Sequence, residues 1–96
     1  MRILFYSRCM EIMLSTGVPL QEALALAEEM LPGLLRKHIA PVRKAVDSGK
    51  SLREAYSMVS ILSPMFVKMI ALGESSGHLS SSFARIGVQN QESLKK

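Results

Sequence analysis

Apolar residues recur along this chain at three- and four-residue steps, the spacing of helices that bury one face. No run of four or more alternates cleanly enough for a strand. From about Ile3 to Thr16, the residues Tyr6, Met10, Met13 and Leu14 form one stripe, with Phe5, Cys9 and Ile12 in a second beside it. A helix apolar over that much of its circumference is expected to be buried on two sides. Gly17 supplies a left-handed stop, and Pro19 sits where a first helical turn tolerates it. A second helix is predicted from Pro19 to about Met30, with Leu20, Ala23, Leu24 and Ala27 inward, and Pro32-Gly33 marks a loop.

Leu35, Ile39, Val42 and Val46 continue the pattern in a third helix, whose opposite face carries Arg36, Lys37, Arg43, Lys44 and Asp47. Pro41 lies inside it, and a kink is expected there rather than a separate first piece. Gly49 ends this helix. Ser51-Leu52-Arg53-Glu54 then reads as a capping box, in which the serine hydroxyl and the glutamate carboxylate close orphan amides. Leu52, Ala55, Tyr56 and Val59 form the apolar side of that short fourth helix. Ser63-Pro64 starts a fifth. On it Phe66, Ile70 and Gly73 share one face, with Met65, Met69 and Leu72 beside them. A turn around Ser75-Ser76-Gly77 leads to a sixth helix with Leu79, Phe83 and Ile86 inward, and the polar tail Gln89 to Lys96 is expected to fray or continue. Short connections place successive helices antiparallel. The fold class is therefore an all-α antiparallel bundle of about six short helices, with residues 1–96 as one domain.

Composition fits that reading. The 96 residues are 48% hydrophobic and 21% charged, which is too apolar for a disordered segment and too charged for a set of membrane spans. The longest apolar stretch, Met58 to Gly73, is interrupted by Pro64 and Lys68 and is too short to cross a bilayer. A mean hydropathy of +0.20 is high for a small monomer, so some apolar surface is expected to meet a partner, a homodimer mate or an equivalent second domain. The net charge of +4 suits nucleic acid, anionic lipid or an acidic protein face without choosing among them. The basic residues are spread along the chain, and no Arg or aromatic cluster marks a recognition helix.

Catalytic chemistry is thin. Asp47 is the single aspartate, and His38 and His78 have no Cys or acidic neighbours at metal-ligand spacing. Gly33 and Gly49 lack the arrangement of a phosphate loop. Ser80, Ser81 and Ser82 read as solvated surface, and Cys9 reads as a small core residue in a chain with no internal disulfide. The methionines read as core, with Met65 and Met69 also suited to an interface because the fifth helix is apolar nearly all round. Neither an enzyme nor a cofactor is expected. The segment Gly73-Glu74-Ser75-Ser76-Gly77-His78-Leu79 is the most informative. Its glycines permit close backbone approach and a sharp reversal. Glu74, near the start of the sixth helix, is either a capping group or a partner-facing or cation-binding carboxylate. One carboxylate alone does not make a metal site.

These residues also carry a resemblance. Tyr6-x-Arg8-x-Met10-x-x-Met13-Leu14-x-x-Gly17-Val18-Pro19-Leu20-x-x-Ala23-Leu24 resembles the opening of the type II secretion system F domain, shared with the inner-membrane platform protein of type IV pilus assembly. Gly49-x-Ser51-Leu52-x-x-Ala55 is similar to the central element of that family, and Gly73-Glu74-x-x-Gly77-x-Leu79 to its Gly-Glu-x-x-Gly-x-Leu signature. Tyr6, Cys9 and Thr16 depart from the usual Phe, Gln and Ala.

The resemblance implies a cytoplasmic six-helix domain, present in two copies in a larger protein of the bacterial inner membrane. It implies a non-enzymatic scaffold that links a cytoplasmic secretion ATPase to pilus or pseudopilus assembly. Gly17, Pro19, Gly49, Ser51, Gly73, Glu74, Gly77 and Leu79 would be the motif and interaction residues. A basic helical domain that binds nucleic acid is the alternative function.

Overall fold

The computed structural model describes residues 2–86. In chain order the helices are α1 (Arg2–Ser15), α2 (Leu20–Glu29), α3 (Gly33–Asp47), α4 (Leu52–Ser57), α5 (Pro64–Ser76) and α6 (79–86). The expected all-α architecture is present, with no strand among the described residues. The tail from Gln89 to Lys96 lies outside them.

Local chemistry sets the helix ends. α1 closes where Val18 N donates to Met13 O at 3.0 Å and Gly17 N to Leu14 O at 3.3 Å. α3 closes in the same way through Lys50 N to Ala45 O and Gly49 N to Val46 O, both 3.0 Å. Each closure needs a left-handed residue, and Gly17 (φ 94°) and Gly49 (φ 103°) provide it without a Cβ clash. Ser63 caps α5 by accepting from Phe66 N at 3.2 Å, with Pro64 in the first turn.

Two boundaries differ slightly from expectation. Pro19 immediately precedes α2, and its carbonyl accepts from Ala23 N at 2.9 Å. Gly33 is already the first residue of α3, so the α2–α3 loop is shorter than the Pro-Gly signal suggests. Arg36 tightens this corner by donating to Glu29 O at 2.7 Å and Leu31 O at 3.2 Å. α3 continues through Pro41, which is exposed. The amide that proline lacks would have bonded the carbonyl of Lys37, also on the exposed side where water can serve it.

The core centres on Tyr56. Its ring meets Tyr6, Phe66 and Phe83 edge-on, with centroids 6.4, 5.2 and 6.5 Å away, so that α1, α4, α5 and α6 converge there. Edge-to-face contacts of this kind stabilise beyond the area they bury. The inward positions of α4 (Leu52, Ala55, Tyr56) and α5 (Phe66, Ile70, Gly73) are buried as expected, and Val59, expected on α4, is buried just beyond its end.

α1 departs from expectation. Tyr6 and Met10 are buried, but Phe5 is 49% and Ile12 52% exposed, and Cys9 is half-buried. Within this chain the helix buries one side, and its second apolar stripe faces outward. The methionines divide likewise. Met10 is buried, Met13 and Met69 are half-buried, and Met30, Met58 and Met65 are exposed.

Candidate functional site

The motif residues meet where α4, α5 and α6 join. Ser51 accepts from Glu54 N at 3.1 Å, and Ser51 N donates to Glu54 Oε1 at 3.2 Å, so both halves of the expected capping box form. The amide and hydroxyl of Ser51 hold the Glu54 carboxyl below the ordinary carboxylate value.

The two amides that follow are satisfied from elsewhere in the fold. Glu74, half-buried on α5, accepts Leu52 N through Oε2 at 2.8 Å and Arg53 N through Oε1 at 3.3 Å. The sequence places this carboxylate at the start of the sixth helix. The structure gives it to the start of α4 instead, where the dipole and the orphan amides of another helix hold it. A carboxylate with both oxygens committed to amides has its position fixed by the fold.

The glycines on either side position that carboxylate. At Gly73 a Cβ would clash with Ser82 Oγ, and would lie 2.8 Å from Ser82 Cβ and 3.1 Å from the His78 carbonyl. Only glycine lets α5 and α6 approach this closely. Gly77 (φ 78°) then reverses the chain, and His78 N donates to Gly73 O at 2.8 Å. α5 therefore runs through Ser75 and Ser76, and the turn is confined to Gly77 and His78. Leu79 is half-buried at the start of α6. Gly49 precedes Ser51 in the same corner, whereas Gly17 and Pro19 belong to the α1–α2 corner.

Three buried polar residues escape sequence reasoning. Ser82 is buried against Gly73 rather than solvated with its neighbours. Arg43, placed by periodicity on the polar face of α3, donates from Nε to Glu28 Oε1 at 3.0 Å, and Glu28 is buried on α2. That bond pushes the arginine further into its charged form. Ser7 is buried beside Tyr6, and its hydroxyl has no hydrogen-bond partner among the described residues. The only sequence signal for the Glu28–Arg43 pair is an acid directly after the inward Ala27.

Between α4 and α5 lies an open groove of about 1010 Å³. Val59, Leu62, Val67 and Ala71 line it, with Leu72 on one side and Arg53 and Lys68 at its edges. A smaller cleft of about 310 Å³ separates α5 from α6 beside His78, whose Nδ1 lies 2.8 Å from Ser76 O. Cys9 is raised above its ordinary pKa by burial, and its thiol donates to Met30 Sδ at 3.5 Å. Among the described residues, no three His, Cys, Asp or Glu side chains gather as a metal site. Among them, too, no helix is long and apolar enough to cross a membrane.

The family described as "Type II secretion system (T2SS), protein F" matches residues 6–96. The chain belongs to the type II secretion system protein F family. The "Type II secretion system protein F" of Pseudomonas aeruginosa is 35% identical over 88 residues, covering 91% of this chain and 22% of that protein. Its counterpart from Aeromonas hydrophila is 36% identical over 88 residues, with the same coverage. The "Type IV pilus assembly protein PilC" of Thermus thermophilus is 35% identical over 75 residues, covering 77% of this chain and 18% of that protein. The chain thus spans about a fifth of the length of these curated relatives.

Proposed function

We propose that this chain is a non-enzymatic scaffold domain, on the cytoplasmic face of the bacterial inner membrane, of a larger platform protein. In that role it couples a cytoplasmic secretion ATPase to pilus or pseudopilus assembly and protein secretion. The family match over residues 6–96 carries this reading. The outward stripe of α1 supports it. Phe5 and Ile12 flank Cys9, which touches Met30 at the end of α2, so exposed apolar atoms of α1 and of the α2 terminus adjoin. Such a surface suits a contact with another assembly protein, a second domain copy or a homodimer mate. Gly17, Pro19, Gly49, Ser51, Gly73, Glu74, Gly77 and Leu79 serve the scaffold by fixing the corners that present its surfaces.

The test is a pair of polar substitutions, Phe5→Ser and Ile12→Ser, made in the parent protein. The expected result is an isolated chain that melts as the wild type does, together with loss of secretion or of pili in cells. Unimpaired secretion and pili would refute the reading of this face.

A further inference from the structure

α2, with the residue that caps its end, presents an outward face of one chemistry. Glu22, Leu26, Glu29 and Met30 recur at four, three and one residue steps, within about 100° of one another around the helix. All four are exposed. Around the helix the two carboxylates form one edge of this face and the two apolar side chains the other. Among the described residues neither carboxylate lies within ion-pair distance of a cation, although the charge of Glu29 is felt at Arg43 of α3.

The groove between α4 and α5 has the opposite character. Its lining is mainly apolar, interrupted by Ser51, Ser57, Ser60 and Ser75, and Leu72 is 61% exposed. The charged side chains at its edges are Arg53, Lys68 and Glu74. Glu74 is committed to the amides of Leu52 and Arg53, and neighbouring Glu54 to its capping box. The two cations remain, neither of them ion-paired among the described residues. Dimensions agree as well. The ten residues of α2 are about 15 Å long, and the thirteen of α5 that wall the groove are about 20 Å.

We propose that the α4–α5 groove of one copy receives the outward face of α2 from a second copy, with Glu22 and Glu29 against Arg53 and Lys68 and Leu26 and Met30 on the apolar lining. This is a helix laid in a groove, with apolar anchors for affinity and charge for register. The two surfaces differ, so the contact is heterologous and closes into a defined oligomer only when the geometry uses it reciprocally. The inference rests on the second copy or homodimer mate named among the partners in the proposed function, and adds which surfaces meet.

Charge inversion tests it. Arg53→Glu with Lys68→Glu gives one variant whose groove and α2 are both acidic. Glu22→Lys with Glu29→Lys gives another in which both are basic. Light scattering across a concentration series should show the wild-type 96-residue chain above 10.6 kDa. Each variant alone should associate about tenfold more weakly, and an equimolar mixture should regain the mass, because each groove then faces an α2 of opposite sign. Circular dichroism melts confirm that each variant is folded. Where a reversed variant is not folded, Arg53→Gln with Lys68→Gln or Glu22→Gln with Glu29→Gln takes its place as a variant measured alone, still expected to associate more weakly than the wild type.

A second readout oxidises a mixture of Leu26→Cys and Leu72→Cys chains, each also carrying Cys9→Ser. A disulfide between the two different chains supports the contact. Variants that associate as the wild type does, a mixture that stays monomeric, or no mixed disulfide would each overturn the groove contact. If association persists in the charge variants but is lost in Phe5→Ser, self-association stands and this interface is wrong. A wild-type chain that stays at 10.6 kDa throughout removes self-association as well.

Discussion

Tyr6 and Tyr56 share a hydrogen bond of 2.8 Å at the centre of the protein, joining α1 to α4 across fifty residues of sequence. Both rings are fully buried, so each hydroxyl is the answer to the other's desolvation. Removing one hydroxyl strands its partner. Tyr6→Phe and Tyr56→Phe should each cost about 1–3 kcal/mol, and the double variant less than their sum. Urea titration of the three variants measures the coupling, and strict additivity would show that the pair is not linked.

The same pair sets an alkaline limit. Burial raises both hydroxyls above the ordinary value of 10.0; for Tyr6 the bond to Tyr56 opposes the rise and the charge of Glu28 adds to it. A phenol whose folded value exceeds its unfolded one contributes stability below the unfolded value and loses it as pH climbs through the folded value. Tyrosine absorbance should therefore ionise together with the loss of helix at high pH. With two tyrosines and no tryptophan the signal comes from this pair. Ionisation near 10 in a fully helical chain would contradict the buried geometry.

Glu74 tests the cross-helix cap. Glu74→Ala should cost about 1–3 kcal/mol, since two amides at the start of α4 lose a charged acceptor, and Glu74→Gln should fall between it and the wild type. Hydrogen exchange at the amides of Leu52 and Arg53 should quicken before the rest of the chain. Measuring melting and cellular assembly on Glu74→Gln separates the roles. Assembly lost from a chain that melts normally would assign Glu74 to a partner instead.

Gly73 and Ser82 should behave as a matched pair. Gly73→Ala forces a methyl onto the rigid Ser82 Cβ and the His78 carbonyl, an overpacking that costs about 1–3 kcal/mol. Ser82→Gly opens the space, so the double variant should recover much of the loss. Thermal melts of the single and double variants decide it. No recovery would place the strain elsewhere.

The capping box carries an acid dependence. The Glu54 carboxyl lies below its ordinary 4.5, chiefly through the Ser51 amide and then its hydroxyl. Its contribution is present above the unfolded value and fades as pH falls through the lower folded one. Melting temperatures followed from about pH 6 to about pH 3 should fall less steeply in Glu54→Gln than in the wild type. Equal slopes would mean that the box does not form.

What the sequence made legible is what a helix settles within one turn of itself. Ser51 and Glu54, Ser63 and Pro64, and the stops at Gly17 and Gly49 all act over a few residues, and each is found where periodicity and capping chemistry put it. Contacts between elements were not legible. Glu28 and Arg43 lie on helices whose faces look polar at those positions, and only the packing of α2 on α3 turns them toward each other. The partner of Glu74 lies twenty-two residues back, beyond the range of any capping pattern. The outward turn of Phe5 and Ile12 was hidden for the opposite reason, since periodicity reports that a face is apolar without telling what covers it.

The cap on α4 also bears on the order in which the chain can fold. α4 has six residues, too few to hold as a free helix, and two of its leading amides wait for a carboxylate that is synthesised twenty-two residues later. As the polypeptide leaves the ribosome, that segment has only its own Ser51 and Glu54 until α5 has emerged past Glu74. α1, α2 and α3 can meet each other before then, but the Tyr56 that α1 needs at its centre cannot be held in place. The last third of the sequence is thus what commits the first, and a truncation ahead of Glu74 would leave a collapsed but unfinished chain rather than a smaller version of the domain.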